Sequence, residues 1–409
     1  MAIDPARARR LILGAAAAGL VLRLLFGLFY WTGKPLTHDE QEYLALAHSI
    51  AAGRGFAYDA AHQTGTAPQF GRAPVYPLLL AAIGAGHEYD ASPLRVKAAQ
   101  ALIGSVGVWL IGLLALRRAG PAAGAAAAAM AAVYPPLVWI CAYVLSEALY
   151  STLALGVALL LDRAIDRAYQ ARQSAAGAPL TIAAGVTAGI AALARPAMLF
   201  FLPLAALWLF RQRRAALAVL LLVMALVTIA PWTIRNVRVF HRFVLIASEG
   251  GVTFWTGNHP LARGEGDMAA NPDIKRAEIA FRQARPGLTP EQLEPEYYRD
   301  ALGYIARHPW WWLGLLARKT FYTVLPIGPS YTLHSTAYWA ASVVSYLLLL
   351  PFAALGWRRL DRRPEALFVM AFAAVCAGLV FFPQERFRIP VIDPTLIVCA
   401  AAFADRWIR

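Results

Sequence analysis

The segment LILGAAAAGLVLRLLFGLFYW, residues 11–31, decides the fold class of this sequence. Arg23 alone interrupts its apolar character, and the segment has the roughly 20 residues that a helix needs to cross a hydrocarbon layer about 30 Å thick. Runs of similar character occupy residues 122–143 and 215–232. Their apolar residues are continuous and do not alternate with polar ones, which indicates spanning helices and not barrel strands. The sequence therefore predicts an all-α polytopic membrane protein.

The composition supports this fold class. Hydrophobic residues make up 59% of the 409 residues and charged residues only 15%, which is too few charges to cover the surface of a soluble domain. The three cysteines, Cys141, Cys376 and Cys399, lie in apolar runs and show neither a disulfide framework nor a metal spacing. The first apolar run is long for a signal-peptide core, so we expect it to stay as an anchor.

The net charge of +14 reflects topology and not nucleic-acid binding. No soluble basic module is evident, and the arginines collect in short connections between apolar runs. By the positive-inside rule these connections are cytoplasmic, and both termini lie with them. The residues are Arg7, Arg9, Arg10, Arg117, Arg118, Arg163, Arg167, Arg172, Arg211, Arg213, Arg214, Arg358, Arg359, Arg362, Arg363, Arg406 and Arg409.

We predict one membrane domain, residues 1–409, with about ten spanning helices, within a range of nine to twelve. The predicted spans are residues 9–31, 93–116, 122–143, 147–161, 179–194, 197–210, 214–232, 336–357, 364–383 and 389–405. Two large outer loops, 32–92 and 233–335, then form the face that carries the active site. Within them, segments 75–86 and 309–326 are expected to lie at the membrane surface, and residues 291–305 are expected to form a polar helix.

Acidic residues follow the first predicted span in the sequence HDEQEY, residues 38–43. A carboxylate at a low-dielectric boundary can keep a raised pKa and accept a proton from an attacking group, which suits Asp39 or Glu40 to catalysis. Alternatively, Asp39 caps a helix that runs from Glu40 to Ala52. The local pattern alone favours the cap. Glu147 opens the fourth span, where it is either favoured by the helix dipole or functional.

The positive-inside bias disfavours arginines on the outer side, so those predicted there require an explanation. The sequence QERFRIP, residues 384–390, places Arg386 and Arg388 between the last two spans. Guanidinium groups match phosphate oxygens, so an anionic lipid phosphate would supply that reason, and a salt bridge to Glu385 or Asp393 is the alternative. Arg72 could likewise grip a phosphate or serve as an ordinary interfacial arginine. The signals around Arg195, around Arg235 in PWTIRN and around Asn258 in WTGN are weak alone.

Taken in order, these fragments resemble the GT-C superfamily of membrane glycosyltransferases, especially the branch of protein O-mannosyltransferases and the aminoarabinose transferase of lipid A. Each fragment is short, but their order and shared outer placement carry the resemblance over most of the chain. The fragments are DE at 39–40 with Tyr43, GRGF at 53–56, RAPVYP at 72–77, Glu147, ARP at 194–196, PWTIRN at 231–236, GN at 257–258 and RFRIP at 386–390.

The resemblance implies a GT-C-type bundle that moves a sugar from a polyprenyl-phosphate donor to an extracytoplasmic acceptor, which is a glycolipid, glycan or protein, with inversion. It implies that Asp39, with Glu40 beside it, is the base or orients the acceptor, and that Glu147 is a second acidic residue. Arg386, Arg388 and Arg72 would then hold the donor phosphate. It further implies that the substrates contact Tyr43, Tyr76, Arg195, Arg235 and Asn258.

The resemblance implies no obligatory cofactor. Some relatives hold a divalent metal near the acidic pair, and Asp39 with Glu147 would permit one. We expect a bacterial-type inner (plasma) membrane location with the site facing the periplasm or exterior, in contact with membrane lipids and with no nucleic acid. The sequence ends soon after its last predicted span, which argues against protein O-mannosylation.

The rival interpretation is a flippase or transporter of lipid-linked saccharides. A transporter should place ionisable residues near the middle of the membrane and show repeat symmetry between its halves. Here most charges lie at the ends of predicted spans, and the large outer loops have no counterparts in the other half. We therefore favour the transferase.

Overall fold

The computed structural model describes residues 3–57, 71–85, 93–264, 271–325, 336–360 and 365–408, with the backbone alone over 404–408. Within these ranges the chain forms helices and no strand. The α-helices there are α1 (Pro5–Leu25), α2 (His38–Ala51), α3 (Val75–Ala82), α4 (Leu94–Ala119), α5 (Pro121–Val133), α6 (Pro135–Trp139), α7 (Glu147–Gln170), α8 (Ala178–Ala194), α9 (Met198–Arg211), α10 (Ala215–Phe240), α11 (Gly250–Asn258), α12 (Pro272–Gln283), α13 (Pro290–Arg307), α14 (Pro309–Val324), α15 (Thr336–Trp357), α16 (Ala366–Val380), α17 (Glu385–Arg388) and α18 (Ile392–Ile408).

The spanning helices confirm the predicted fold class. Six helices in the described ranges are long and apolar enough to cross a membrane, namely α1, α4, α7, α8, α10 and α15. The bent pair of α5 and α6, which turns by 61°, provides a seventh candidate. The other three predicted spans coincide with shorter apolar helices, α9, α16 and α18. The chain is an all-helical, multi-pass membrane protein.

Arg23, the charge inside the first apolar segment, is explained by the break after α5. Pro135 and Pro136 have no N–H, so they cannot bond the carbonyls one turn earlier in the chain. Those carbonyls belong to Ala131 and Ala132, and the guanidinium of Arg23 donates to both, at 3.3 and 3.2 Å. Arg23 is only 3% exposed, so it replaces the missing backbone donors inside the bundle.

Small residues set how closely the spans approach one another. The alanine run of α5 is buried against α1, α4 and α18. Gly185 and Gly189 of α8 lie against the backbone of α10, and a Cβ at Gly356 would overlap the carbonyl oxygen of Cys399 in α18. Without a hydrophobic driving force between helices in lipid, such close backbone packing holds the bundle together.

The second of the loops predicted to be outer, residues 233–335, contains helices with a core of their own. Residues of α11 to α14, among them Trp255, Phe281, Leu293 and Tyr297, bury one another apart from the main core. The predicted polar helix is confirmed as α13. The segment 309–326, predicted to lie at the membrane surface, forms α14 as far as Val324, and α14 is not a spanning candidate in the structure. Its position at the membrane surface stays a prediction.

An ion network fixes one end of the bundle. Arg117 of α4 binds Asp166 of α7 at 2.8 Å and Glu365, just before α16, at 2.6 Å. Because these residues come from the arginine-rich connections, we call this the basic end. The opposite end carries α2, α3, α11 to α14 and α17, and we call it the site end. Of the predicted cytoplasmic arginines, Arg362, Arg363 and Arg409 lie outside the described residues.

Candidate active site

The start of α2 places Asp39 in the site. Thr37, and not Asp39, is the N-cap, and it forms a capping box with Glu40. Glu40 accepts from the Thr37 N–H at 2.8 Å and, through its other oxygen, from the Val144 N–H at 2.8 Å. The prediction that Asp39 caps this helix is therefore wrong. Glu40 is 2% exposed with both oxygens engaged in structural bonds, which leaves Asp39 to face outwards.

Asp39 lies between two arginines from distant parts of the chain. Its Oδ1 accepts from Arg72 Nη2 at 2.8 Å, and its Oδ2 accepts from Arg386 Nη1 at 2.6 Å. The carboxylate is 24% exposed and the two guanidinium groups are 14% and 27% exposed, so the cluster is partly open. The arrangement joins α2, the segment before α3 and α17 at one point.

Arg72 collects two further carboxylates. Its Nε donates to Glu42 Oε2 at 2.8 Å, and its Nη1 lies 3.1 Å from Glu249 Oε2. Beneath the guanidinium, the ring of Tyr43 lies 5.3 Å away. One arginine therefore bridges three acids, and a phosphate that competes for it would meet a strongly held side chain.

Glu147 forms the floor of the same cluster. It is 1% exposed, its Oε1 lies 2.9 Å from Arg195 Nη1 and 3.8 Å from Arg386 Nε, and its Oε2 accepts no hydrogen bond from the described residues. Arg195 also approaches the hydroxyl of Ser146 at 3.4 Å, and the hydroxyl of Tyr43 lies 3.5 Å from the same atom. We call Asp39, Glu42, Arg72, Glu147, Arg195, Glu249 and Arg386 the site cluster.

The ionisation of the site cluster follows its ion pairs. Burial opposes the charge on Asp39, but Arg386 and Arg72 outweigh it and hold the pKa of Asp39 well below its usual value. Burial raises the pKa of Glu249, which Arg72 offsets only in part. In this state Asp39 is a stable carboxylate and a weak base, so stronger basicity requires an arginine to move away from it.

Several predicted residues lie elsewhere. Arg388 turns into the bundle, where it is 3% exposed, donates to Asp393 Oδ1 at 2.7 Å and packs on the Tyr346 ring. The structure therefore does not bring Arg388 to Asp39; the alternative salt bridge to Asp393 is the one formed. Asn258 is buried too, accepting from Lys319 Nζ at 3.1 Å and donating to the Val380 carbonyl at 2.9 Å.

Tyr76 and Arg235 flank the cluster without joining it. Tyr76 is fully buried beneath Tyr43, with ring centroids 4.9 Å apart, and its hydroxyl donates to Gln100 at 3.2 Å. Arg235 belongs to a pocket that Arg72 also lines. Tyr76 therefore supports the floor, and Arg235 extends the site sideways.

The residues of the cluster do not fit a metal as they are arranged. Ligand atoms of His38, Asp39 and Glu42 lie within 4.8 Å of one another. However, Arg72 and Arg386 already occupy the oxygens of Asp39, and a dication there would meet two guanidinium charges. Asp39 and Glu147 are separated by Arg386, which pairs with both.

Sequence reasoning gave no role to Glu42 or Glu249. Glu42 follows Asp39 by three residues, which places both on one helix face, so helical spacing could have identified it. Glu249 lies far away in the sequence and reaches Arg72 only through the fold. The segment that carries Glu249 is anchored beside Arg72 because the Gly71 N–H donates to the Ser248 hydroxyl at 2.9 Å.

Comparison with known proteins identifies the fold. No protein-family profile and no curated protein sequence matches this chain. The structure is similar to the oligosaccharyltransferase AglB of Archaeoglobus fulgidus in complex with an inhibitory peptide and a dolichol-phosphate, with a TM-score of 0.57 and 16% identity, over 97% of this chain and 50% of that one. The same archaeal enzyme in complex with Zn and sulfate gives a TM-score of 0.55 and 15% identity, over 96% of this chain and 48% of that one. ArnT of Cupriavidus metallidurans bound to undecaprenyl phosphate gives a TM-score of only 0.44 and 15% identity, over 96% of this chain and 77% of that one. This likeness is too low to support a conclusion.

The archaeal enzyme belongs to the GT-C superfamily, and the likeness shows that this chain has the GT-C fold. The predicted resemblance is confirmed at that level. The chain spans about half the length of the oligosaccharyltransferase.

Proposed function

We propose that this chain, which has the GT-C fold, is a glycosyltransferase that moves a hexosyl or pentosyl group from a polyprenyl-phosphate-linked donor to an acceptor lipid, glycan or protein, with inversion. The observation that carries the proposal is the Asp39 carboxylate held between Arg386 and Arg72 at the site end. Displacement at an anomeric carbon needs stabilisation of the departing phosphate and an activated acceptor on the opposite face. The site cluster contains groups for both tasks.

Arg386 is suited to the donor phosphate. Its Nη1 bonds Asp39 and its Nε bonds Gln384 Oε1 at 2.9 Å, and the side chain is 27% exposed, so the guanidinium is oriented but accessible. A phosphate offers more negative charge than one carboxylate and matches the guanidinium fork. Donor binding therefore draws Arg386 towards the phosphate, where it stabilises the charge that grows as the sugar departs.

The same step activates Asp39. When Arg386 pairs with the phosphate, it no longer pairs with Asp39. Of the two arginines that lower the pKa of Asp39, only Arg72 then remains. The pKa of Asp39 then rises towards its ordinary value, and the carboxylate becomes a better acceptor for the proton of an attacking hydroxyl. If the acceptor is an ionised phosphate, Asp39 only orients it. Glu147 supports Arg386 and Arg195 from below as a buried counter-charge.

The proposal includes a polyprenyl-phosphate donor and a site that faces away from the cytoplasm. The similar archaeal oligosaccharyltransferase is in complex with an inhibitory peptide and a dolichol-phosphate, which supports a polyprenyl-phosphate donor for this chain. Arginine-rich connections at the basic end favour a cytoplasmic position for that end. The site end and both outer loops, 32–92 and 233–335, then face the periplasm or exterior of a bacterial-type plasma membrane.

A transfer assay with purified protein tests the proposal. We expect wild-type protein to transfer sugar from a mixture of undecaprenyl-phosphate-linked sugars to cell-envelope acceptors, and Asp39→Asn to lower the rate by about a hundredfold. Arg299→Ala is a matched control, because Arg299 is 71% exposed on α13 and lies outside the site cluster. A wild-type rate in Asp39→Asn would contradict the assigned role, and no transfer from any such donor by wild-type protein would contradict the function.

A further inference from the structure

A pocket opens beside the site cluster, between the end of α10 and the segment that follows it. Gly71 and Arg72 form its inner wall, so the pocket adjoins the cluster directly. The remaining lining residues are Phe56, Trp232, Arg235, Asn236, Phe240, Val244, Ile246, Ala247, Ser248 and Glu291. None of these residues, apart from Arg72, takes part in the proposed donor site.

Arg235 is held in this pocket by three aromatic rings and two hydrogen bonds. Its guanidinium lies 4.8 Å from the Trp232 ring, 5.5 Å from the Phe240 ring and 5.9 Å from the Phe56 ring. Nη1 donates to Asn236 Oδ1 at 3.1 Å and Nη2 to the Phe56 carbonyl at 3.3 Å. A guanidinium has five N–H donors, so most of them remain for a ligand.

Arg235 forms no ion pair within the ranges that the structure describes, unlike Arg72, Arg195 and Arg386. Glu291 is the acid that lines the pocket, and it lies beyond salt-bridge distance of Arg235. Arg238 and Arg242, both exposed and close by in the chain, add positive charge at the same helix end. Cations at the site end also oppose the positive-inside bias, so an anion that binds there would account for them.

We infer that this pocket binds an anionic group, phosphate or carboxylate, carried by the acceptor, with Arg235 as its main ligand. The inference rests on the proposed function, because it assigns the acceptor to one side of Asp39 and the donor phosphate to Arg386 on the other. Arg72 lines the pocket and bonds Asp39 Oδ1, so an acceptor anchored at Arg235 lies next to the catalytic carboxylate. The enzyme thus selects acidic acceptors over neutral ones.

Calorimetry on the full chain tests this without any transfer reaction. Protein in phosphatidylcholine nanodiscs is titrated with glucose 1-phosphate, with inorganic phosphate and with glucose. We expect both phosphates to bind and glucose to bind at least about tenfold more weakly, since a hydrogen bond to a charged group is stronger than one between neutral groups. Arg235→Gln should weaken glucose 1-phosphate about tenfold and Arg235→Lys less, because lysine keeps the charge but loses the fork.

Two variants provide the controls. Arg299→Gln removes an exposed arginine of α13 that does not line the pocket, and this variant should bind within about twofold of wild type. Ala247→Leu fills the pocket while keeping Arg235 and should also weaken binding, which supports the site independently if Arg235→Gln unfolds. Equal binding by wild type, Arg235→Gln and Ala247→Leu would overturn the inference.

Further arms separate the sources of the anion. If phosphatidylglycerol nanodiscs abolish glucose 1-phosphate binding, a lipid headgroup occupies the pocket and the acceptor assignment is wrong. If Arg386→Ala abolishes binding and Arg235→Gln does not, the phosphate lies in the site cluster and the inference is overturned while the proposed donor site stands. Binding that depends on Arg235 remains valid even if the transfer assay fails.

Discussion

Two networks of arginines and carboxylates lie at opposite ends of one bundle. Glu147 and Asp162 belong to the same helix, α7, and are 15 residues apart, which corresponds to about 22 Å. At the basic end, Asp162 lies 3.6 Å from Arg117 and its other oxygen accepts from the Ala366 N–H at 2.9 Å. At the site end, Glu147 is paired with Arg195 and approached by Arg386.

The two networks differ in the structural elements that contribute their charged residues. Basic-end partners come from α4, from α7 and from the start of α16, so their ion pairs clamp spanning helices together. Most of the site cluster instead comes from short elements outside the spans: α2, the segment before α3, the start of α11 and α17. The same chemistry therefore serves as a clamp where helices meet and as a displaceable ligand site where loops meet.

Arg386→Ala should have the largest effect on turnover. Removing the group that stabilises the leaving phosphate is expected to lower the transfer rate by about a thousandfold, which is the scale for one electrostatic donor in a transition state. The melting temperature should change little, since Arg386 is 27% exposed. Arg299→Ala should show neither effect. If Arg386→Ala instead lowers the melting temperature while its folded fraction keeps the wild-type transfer rate, Arg386 is a structural residue like those of the basic end, and the comparison is contradicted.

Arg388→Ala should damage stability instead. The change leaves Asp393 buried without its main cation, and breaking a buried ion pair costs roughly 3–5 kcal/mol. Thermal unfolding in detergent should show the loss, while the transfer rate per folded molecule stays near wild type. Replacement of both residues, Arg388→Met with Asp393→Leu, should recover much of the stability; selective loss of turnover in Arg388→Ala would return this arginine to the active site.

Arg117→Ala tests the clamp at the basic end. We expect a loss of roughly 2–4 kcal/mol, below the value for a fully buried pair because Arg117 is 23% exposed. The helices α4, α7 and α16 lose a shared tie, but the site cluster lies at the other end of α7. An unchanged KM for donor and acceptor in the folded fraction is the expected result, and a selective rise in either KM would break the comparison.

A pH series compares two carboxylates at the site end and should give the smallest effect. Burial raises the pKa of Glu294 to about 7, and among the described residues no arginine is a main influence on it, as Arg72 and Arg386 are on Asp39. Because the pKa of Glu294 is higher in the folded than in the unfolded state, its protonated form stabilises the fold. This contribution to the free energy of unfolding is complete at low pH and is lost as the pH rises through about 7. The melting temperature should therefore fall between about pH 5 and pH 8, and Glu294→Gln should flatten that slope; parallel slopes in the two proteins would contradict the assignment.

The sequence predicted the bundle well because apolar runs and arginine-rich connections are local signals. Two details of the predicted site were wrong for equally local reasons. The local pattern favours Asp39 as the cap, although Thr37 and Glu40 carry the T-x-x-E pattern of a capping box. Arg386 and Arg388 looked like a pair, but residues two apart in a helical turn point in different directions, and nothing in the sequence shows that residues 385–388 are helical.

Long-range partners were beyond sequence reasoning. Glu249 meets Arg72 although nearly half of the chain separates them, and Lys319 is buried on Asn258 and the carbonyls that end α16. Arg23 could have been explained from Pro135 and Pro136, whose missing N–H groups leave carbonyls that need a donor, but its position beside them depends on helix packing.

Binding of undecaprenyl phosphate tests the central claim most directly, namely that a lipid phosphate competes with Asp39 for Arg386. The dissociation constant is measured in nanodiscs for wild type, Arg386→Ala and Asp39→Asn. We predict that Arg386→Ala weakens binding by about ten- to a hundredfold and that Asp39→Asn tightens it, because the competing carboxylate is gone. Unchanged binding in Arg386→Ala, or weaker binding in Asp39→Asn, would contradict the account.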